Sequence, residues 1–135
     1  MRVLFALLTS LAIAPAAMAQ AKPVTTASGL VYESLKDGTG DSPKATDTVK
    51  VNYKGTLPDG TEFDSSYKRG EPVSFQVNQI IPGWQEALVM MPKGAKWKVV
   101  LPPELGYGAQ GAGRAIGPNQ TLVFEIELLD IAAAK

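Results

Sequence analysis

The chain of 135 residues contains neither cysteine nor histidine, and these two absences exclude much of the chemistry that enzymes commonly use. Without cysteine no disulfide can form, so the fold must be stabilised by the burial of apolar side chains. Without an imidazole or a thiol, the usual catalytic triads, cysteine nucleophiles and most zinc sites are excluded. A site that acts through shape and hydrogen bonding is therefore favoured, although composition alone leaves a carboxylate pair or an oxygen-ligated metal open.

An excess of charge of either sign is also lacking. The chain has 13 basic and 13 acidic side chains, which gives a formal net charge of zero. A nucleic-acid-binding domain typically shows a basic excess, so we expect no nucleic-acid partner. Aromatic residues make up only 7% of the chain, but its hydrophobic content of 45% is sufficient for one domain with its own core.

The first residues have the pattern of a secretory signal peptide. Arg2 gives a positive start, residues 3–14 are mainly apolar, and residues 17–19 form a small-x-small cleavage signal. A membrane anchor is the alternative, but a spanning helix needs about 20 apolar residues and Pro15 interrupts this run early. We therefore predict a signal peptide over residues 1–19 and no stable membrane anchor after its removal. The expected destination is the periplasm, with secretion into the medium as the alternative.

The remaining chain is predicted to consist of a flexible leader, residues 20–28, and one domain, residues 29–132. Apolar and polar residues alternate from residue 48 to 57, which is typical of a half-buried antiparallel strand. Pro82 suits the first position of a helix. The residues that share one apolar face at helical spacing after it are Trp84, Ala87, Leu88 and Met91. Strands are also predicted over residues 73–77 before this segment and residues 96–101 after it, so we predict an α+β fold in which a twisted antiparallel sheet wraps around one short helix.

The few aromatic residues are predicted to converge where the helix meets the sheet. They are Tyr53, Phe63, Phe75, Trp84, Tyr107 and Phe124. A hydrophobic core accounts for most of them. Two residues fit a core poorly, because Asp64 is a carboxylate directly after Phe63 and Tyr107 lies between Gly106 and Gly108. Asp64 still has a structural alternative as a turn or capping residue.

Five motifs, in order along the chain, resemble those of the FKBP family of peptidyl-prolyl cis/trans isomerases. They are Val51-Asn52-Tyr53-Lys54-Gly55, Asp59-Gly60-Thr61-Glu62-Phe63-Asp64-Ser65-Ser66, Ile81-Pro82-Gly83-Trp84-Gln85-Glu86-Ala87, Gly106-Tyr107-Gly108 and Thr121-Leu122-Val123-Phe124-Glu125. The resemblance covers residues 28–131, and Ile116-Gly117-Pro118-Asn119 is most similar to the exported bacterial Mip-type branch. It implies an FKBP-like fold and an isomerase, without a cofactor or metal, that assists the folding of proline-containing proteins outside the cytoplasm.

The resemblance also implies roles for individual residues. It places Trp84 at the floor of a proline-binding pocket, Tyr53, Phe63, Phe75 and Phe124 on its walls, and Ile80 and Ile81 at its rim. It further implies that the Ile81 backbone N–H and the Tyr107 hydroxyl bind substrate carbonyls. Asp64 is expected to polarise the twisted amide, with Arg69 as its partner. Without the resemblance, Arg69 is interpreted as a solvated loop charge.

Other functions and assemblies stay open at this point. A non-catalytic binding module or chaperone could use the same groove to hold proline-containing polypeptides, and the resemblance implies macrolide inhibitors as further ligands. An oxygen-ligated metal site built from Asp37, Asp41 and Asp47 lacks the spacing of a calcium loop. A monomer is expected, because Mip-type relatives often carry an N-terminal helical dimerisation region for which the predicted leader is too short.

Overall fold

The computed structural model describes residues 22–133, which form one antiparallel sheet and two α-helices. The strands are β1 (Val24–Thr25), β2 (Val31–Lys36), β3 (Thr48–Thr56), β4 (Glu62–Ser65), β5 (Val73–Gln76), β6 (Lys96–Leu101) and β7 (Leu122–Ala132). The helices are α1 (Ser66–Arg69) and α2 (Pro82–Met90), and short 3₁₀ turns cover Val77–Gln79, Pro103–Leu105 and Gly108–Gln110. The sheet order is β1-β2-β6-β7-β3-β4, with β5 also paired to β3. The predicted α+β class is confirmed.

Strand β3 is central to the sheet, because it pairs with three other strands, β4, β5 and β7. One of its edges pairs with β7 along its whole length. Its other edge is shared, because residues 48–51 pair with β5 and residues 54–56 pair with β4. The buried Ser66 hydroxyl fills the gap between them, accepting a hydrogen bond from the Tyr53 N–H at 2.8 Å and donating one to Asn52 Oδ1 at 2.9 Å. The chain can therefore leave the sheet at this point and place α1 beside Tyr53.

Helix α2 packs its buried face onto the core side of the sheet. It begins at Pro82 in the first helical turn, as the sequence predicts, and it buries Gly83, Trp84, Ala87 and Leu88. A Cβ atom at Gly83 would lie 2.3 Å from a Leu101 side-chain carbon, so only glycine allows this close approach to β6. The alternating residues of β3, including Val49 and Val51, are fully buried under the helix layer. This packing fixes the height of Trp84 above the sheet.

Several details differ from the sequence-based predictions. The prediction of a single helix was incomplete, since Ser66–Arg69 also forms a helical turn, capped by the Ser65 hydroxyl accepting from the Lys68 N–H. The segment predicted as a flexible leader contains β1, so the sheet begins at Val24 rather than at residue 29. Both residues of β1 are exposed, and two exposed residues give no alternation to recognise. The predicted signal peptide, residues 1–19, lies outside the described residues.

Within residues 22–133, no helix has the length and apolar character needed to cross a membrane.

Candidate functional site

A cavity of about 350 Å³ lies where the start of α2 meets the sheet and the loop after β6. It is lined by Tyr53, Phe63, Asp64, Phe75, Gln79, Ile80, Ile81, Trp84, Tyr107 and Phe124. All the site residues predicted from the sequence line this cavity except Arg69, which contacts the lining residues Asp64 and Tyr53. The volume of the cavity falls at the lower end of the range of roughly 300 to 1,000 Å³ that is typical of small-ligand sites.

The Trp84 side chain forms the floor and is only 4% exposed. Three rings meet it edge to face, with centroid distances of 5.1 Å to Tyr53, 5.6 Å to Phe75 and 5.2 Å to Phe124. Perpendicular arrangements of this kind are the favoured geometry for aromatic pairs. Because β3, β5, β7 and α2 each supply one of these rings, the sheet and the helix together hold an apolar box of fixed shape.

Gly55 makes room for one wall of this box. The Phe63 and Phe124 rings meet edge to face with their centroids 5.6 Å apart. A Cβ atom at Gly55 would lie 2.6 Å from Phe63 and 2.8 Å from Phe124. Any side chain at this position would therefore displace two lining rings. The sequence motif contains this glycine, but no pattern in the sequence indicates that two rings pack against its backbone.

One edge of the cavity is polar, and a network of three side chains forms it. Asp64 Oδ2 accepts a hydrogen bond from the Tyr53 hydroxyl at 2.5 Å, and Asp64 Oδ1 accepts one from Arg69 Nη1 at 2.5 Å. Arg69 Nη2 also donates to the Tyr53 hydroxyl oxygen at 3.1 Å, and its guanidinium carbon lies 5.7 Å from the Tyr53 ring centre. Arg69 thus orients the carboxylate from outside the cavity.

The network fixes the protonation state of the carboxyl and the phenol. Burial raises the pKa of Asp64, but hydrogen bonds from Tyr53 and Arg69 outweigh it and hold that pKa below its ordinary value of 3.8. Burial, followed by the hydrogen bond to Asp64, raises the pKa of Tyr53 above 10.0. The hydrogen bond to Asp64 likewise raises the pKa of Arg69. At neutral pH the edge therefore carries an ionised carboxylate, a neutral phenol and a guanidinium.

Two hydrogen-bond donors at the rim have no acceptor among the described residues. The Ile81 carbonyl accepts from the Trp84 and Gln85 N–H groups at 3.0 and 3.2 Å, but the Ile81 N–H donates to no backbone or side-chain atom in residues 22–133. The Tyr107 side chain is 39% exposed, and its hydroxyl likewise has no partner there. Both groups can therefore donate to a bound molecule without breaking a contact of the described fold.

Two glutamines near this rim are not among the site residues predicted from the sequence. Gln79 lines the cavity from the end of a 3₁₀ turn. Gln85 does not line it, but its side-chain Nε2 donates to the Ile80 carbonyl at 2.6 Å. Gln79 lies between the predicted strand, residues 73–77, and the predicted helix, and Gln85 has the pattern of a surface residue on an amphipathic helix. No sequence signal separates these glutamines from ordinary polar positions.

A family model described as "FKBP-type peptidyl-prolyl cis-trans isomerase" matches residues 40–129. The chain is 56% identical over 110 residues to the FKBP-type peptidyl-prolyl cis-trans isomerase FkpA of Escherichia coli K12, covering 82% of this chain and 40% of that protein. It is 52% identical over 107 residues to the outer membrane protein MIP of Legionella longbeachae, covering 79% of this chain and 46% of that one. The chain thus spans less than half the length of both relatives.

Solved structures show the same fold. The crystal structure of FkpA from Escherichia coli superposes with a TM-score of 0.80 at 55% identity, covering 84% of this chain and 53% of that chain. The crystal structure of AtFKBP13 superposes with a TM-score of 0.78 at 34% identity, covering 83% of this chain and 100% of that chain. The sheet and the short helix on it are therefore shared with proteins of known structure.

Proposed function

Since this chain belongs to the FKBP-type peptidyl-prolyl cis-trans isomerase family, we propose that it catalyses rotation about the peptide bond before proline in polypeptides. The observation that carries the proposal is the aromatic cavity, closed at its floor by Trp84 and edged by one fixed carboxylate, Asp64. Such a cavity suits a compact apolar ring that carries an amide on one side. A five-membered proline ring with its preceding peptide bond has this form.

The reaction suits a site without histidine or cysteine. Rotation about the X–Pro bond requires the loss of amide resonance, a barrier of about 18 to 20 kcal/mol, and the uncatalysed step takes tens to hundreds of seconds. No covalent bond is formed or broken, so no nucleophile is needed. An apolar cavity solvates the planar, polar amide poorly and penalises the twisted amide less, because the twisted form has lost most of its charge separation. Binding that favours the twisted form accelerates the rotation.

We assign the residues of the site accordingly. Trp84 and the surrounding rings hold the proline ring, and the Ile81 N–H and the Tyr107 hydroxyl hold substrate carbonyls. Asp64 provides a fixed negative charge beside the carbon of the twisting amide, and Arg69 keeps that charge in place. These assignments are supported by the lining of the cavity and by the two donors at its rim that have no acceptor within residues 22–133. Macrolide inhibitors are expected to occupy the same cavity.

We propose further that the substrates are proline-containing proteins that fold outside the cytoplasm. The signal-peptide pattern of residues 1–19 supports export. The Legionella relative, named an outer membrane protein, is consistent with this assignment. Mass spectrometry of the protein from an envelope fraction tests it directly, because cleavage after Ala19 gives a chain that starts at Gln20. An intact Met1 terminus recovered from the cytoplasm would contradict the proposal.

A refolding experiment tests the proposed role in folding. A protein whose slow refolding phase is limited by proline isomerisation should refold several-fold faster when this chain is added in catalytic amounts. The same addition should leave the refolding of a proline-free protein unchanged. If the slow phase is unaffected while the chain still binds a proline-containing peptide, the groove belongs to a non-catalytic binding module. That result would contradict the proposed activity.

A further inference from the structure

The side chain of Gln85 holds one peptide group at the rim of the cavity. Its Nε2 donates to the Ile80 carbonyl oxygen at 2.6 Å, although Gln85 is not a lining residue. The peptide between Ile80 and Ile81 is trans, so the Ile80 carbonyl and the Ile81 N–H point in opposite directions. By holding the carbonyl, Gln85 keeps the Ile81 N–H pointing away from its own side chain. Ile81 itself lines the cavity.

The same segment is restrained from its other end. Proline at position 82 confines the preceding residue to extended conformations, and Ile81 has a ψ of 151°. The Ile81 carbonyl is held by the Gln85 backbone N–H at 3.2 Å, so Gln85 contacts the two successive carbonyls of Ile80 and Ile81. Among the described residues, no other side chain hydrogen-bonds to either peptide group. Gln85 is thus the one described side chain that restrains the Ile80–Ile81 peptide group by a hydrogen bond.

We propose that Gln85 is a positioning residue that aims the Ile81 N–H at a carbonyl of the proline-containing substrate. This inference rests on the proposed isomerase function. A donor that is already aimed needs no reorganisation when the substrate arrives, and such preorganised donors are the effective ones in enzyme sites. Without the Gln85 side chain, the peptide group between Ile80 and Ile81 loses its side-chain hydrogen bond and is held less firmly. Substrate binding must then order it at a cost in affinity.

The test is Gln85→Met, which keeps the length of the side chain and removes its donor. We expect kcat/KM for a short Xaa-Pro peptide to fall about fivefold, a loss typical of one neutral hydrogen bond. The melting temperature should stay close to that of the wild type. In ¹⁵N–¹H spectra, the shift of the Ile81 amide on titration with the peptide should be clearly smaller than in the wild type. Gln76→Met is the matched control, because Gln76 donates to the Thr46 carbonyl at 3.5 Å and does not line the cavity.

Each outcome decides the proposal. Wild-type kcat/KM and a wild-type Ile81 shift in Gln85→Met would show that the contact is only structural. If Gln85→Met does not fold, Gln85→Leu provides a second test. A further test uses the wild type alone, in which the peptide must shift the Ile81 amide resonance. If the wild-type amide does not move when the peptide saturates the cavity, the proposal is wrong. If the wild type shows no turnover but its Ile81 amide shifts and Gln85→Met weakens that shift, the isomerase proposal fails and the positioning role holds.

Discussion

The Tyr53 hydroxyl donates a 2.5 Å hydrogen bond to Asp64 Oδ2, joining β3 to β4 at the polar edge of the cavity. Arg69 contacts both groups from α1. The arrangement depends on the gap in the pairing along β3, where the Ser66 hydroxyl replaces a neighbouring strand. A local interruption of the sheet thus places one oriented carboxylate in a cavity lined mainly by aromatic side chains.

Replacement of the Asp64 carboxylate should lower kcat/KM while the protein still folds. Asp64→Leu is expected to reduce kcat/KM about ten- to hundredfold, in line with the loss of a hydrogen-bonded charge. The Arg69–Asp64 ion pair is substantially exposed, so its loss should cost at most about 1 kcal/mol of folding free energy. Glu62→Leu is the matched control, since Glu62 lies on the same strand and pairs with Lys68 outside the cavity. Equal turnover in the two variants would contradict the role of Asp64.

Turnover should be independent of pH across the neutral range. The pKa of Asp64 lies below 3.8, that of Tyr53 lies above 10.0 and that of Arg69 is raised, so no group of the polar edge titrates between about pH 5 and 9. The check is kcat/KM measured against pH with a substrate that has no titrating side chain. A bell-shaped profile with an inflection inside this range would show that a proton transfer limits the reaction, contrary to the proposed mechanism.

Stability should respond to acid through the same carboxyl. The lowered pKa of Asp64 means that its contribution is present above pH 3.8 and is lost as the pH falls through its folded-state pKa. Urea unfolding of the wild type should therefore show a steeper loss of stability below about pH 4 than Asp64→Leu shows. Parallel acid profiles for the two proteins would indicate that the hydrogen bonds to Asp64 do not favour its ionised form.

The two tryptophans allow pocket and core effects to be separated. Trp84 and Trp97 are 4% and 8% exposed, but only Trp84 lines the cavity, whereas Trp97 stacks on Tyr32 at 4.3 Å. Both Trp84→Leu and Trp97→Leu should lose about 2 to 4 kcal/mol of stability. Peptide and macrolide affinity, measured at a temperature where both variants are folded, should fall strongly in Trp84→Leu alone. Comparable losses of affinity would mean that Trp84 is only a core residue.

The two exposed tyrosines give a similar comparison for the rim. Tyr107 is 39% and Tyr67 is 42% exposed, and the Tyr67 hydroxyl bonds to Glu127 outside the cavity. Tyr107→Phe should lower kcat/KM about three- to tenfold without changing the melting temperature, because its hydroxyl has no partner in the described chain. Tyr67→Phe should leave kcat/KM unchanged. A wild-type kcat/KM in Tyr107→Phe would show that the Tyr107 hydroxyl does not contribute to catalysis.

The regular elements of the fold could be predicted from periodicity. The bounds of β6 agree with the predicted strand over residues 96–101, and α2 starts at Pro82 as expected. The sequence-based predictions fail where a tertiary contact decides where a strand or helix begins or ends. Strand β5 stops at Gln76 because the Val77 N–H turns to the Asp47 carbonyl, although the alternation continues through Val77. Helix α1 has only four residues, which is too short for any helical period.

The lining of the site could be predicted from the resemblance, but its supports could not. The lining aromatic residues other than Phe75 lie within the five motifs, and the structure brings all of them together. Three supporting contacts depend on which backbone atoms face one another. They are the packing of two rings against Gly55, the hydrogen bond from the Tyr53 N–H to Ser66, and the hydrogen bond from Gln85 to the Ile80 carbonyl. Such contacts follow from strand register and helix placement, and no local pattern in the sequence encodes them.

The most direct test is the cis-to-trans rate of a short Xaa-Pro peptide in the presence of this chain, measured with and without a macrolide that competes for the cavity. The proposed function predicts a rate well above the uncatalysed value, and it predicts that the macrolide at saturation abolishes the acceleration. An uncatalysed rate despite tight macrolide binding would contradict the account, because the cavity would then bind ligands without favouring the twisted amide.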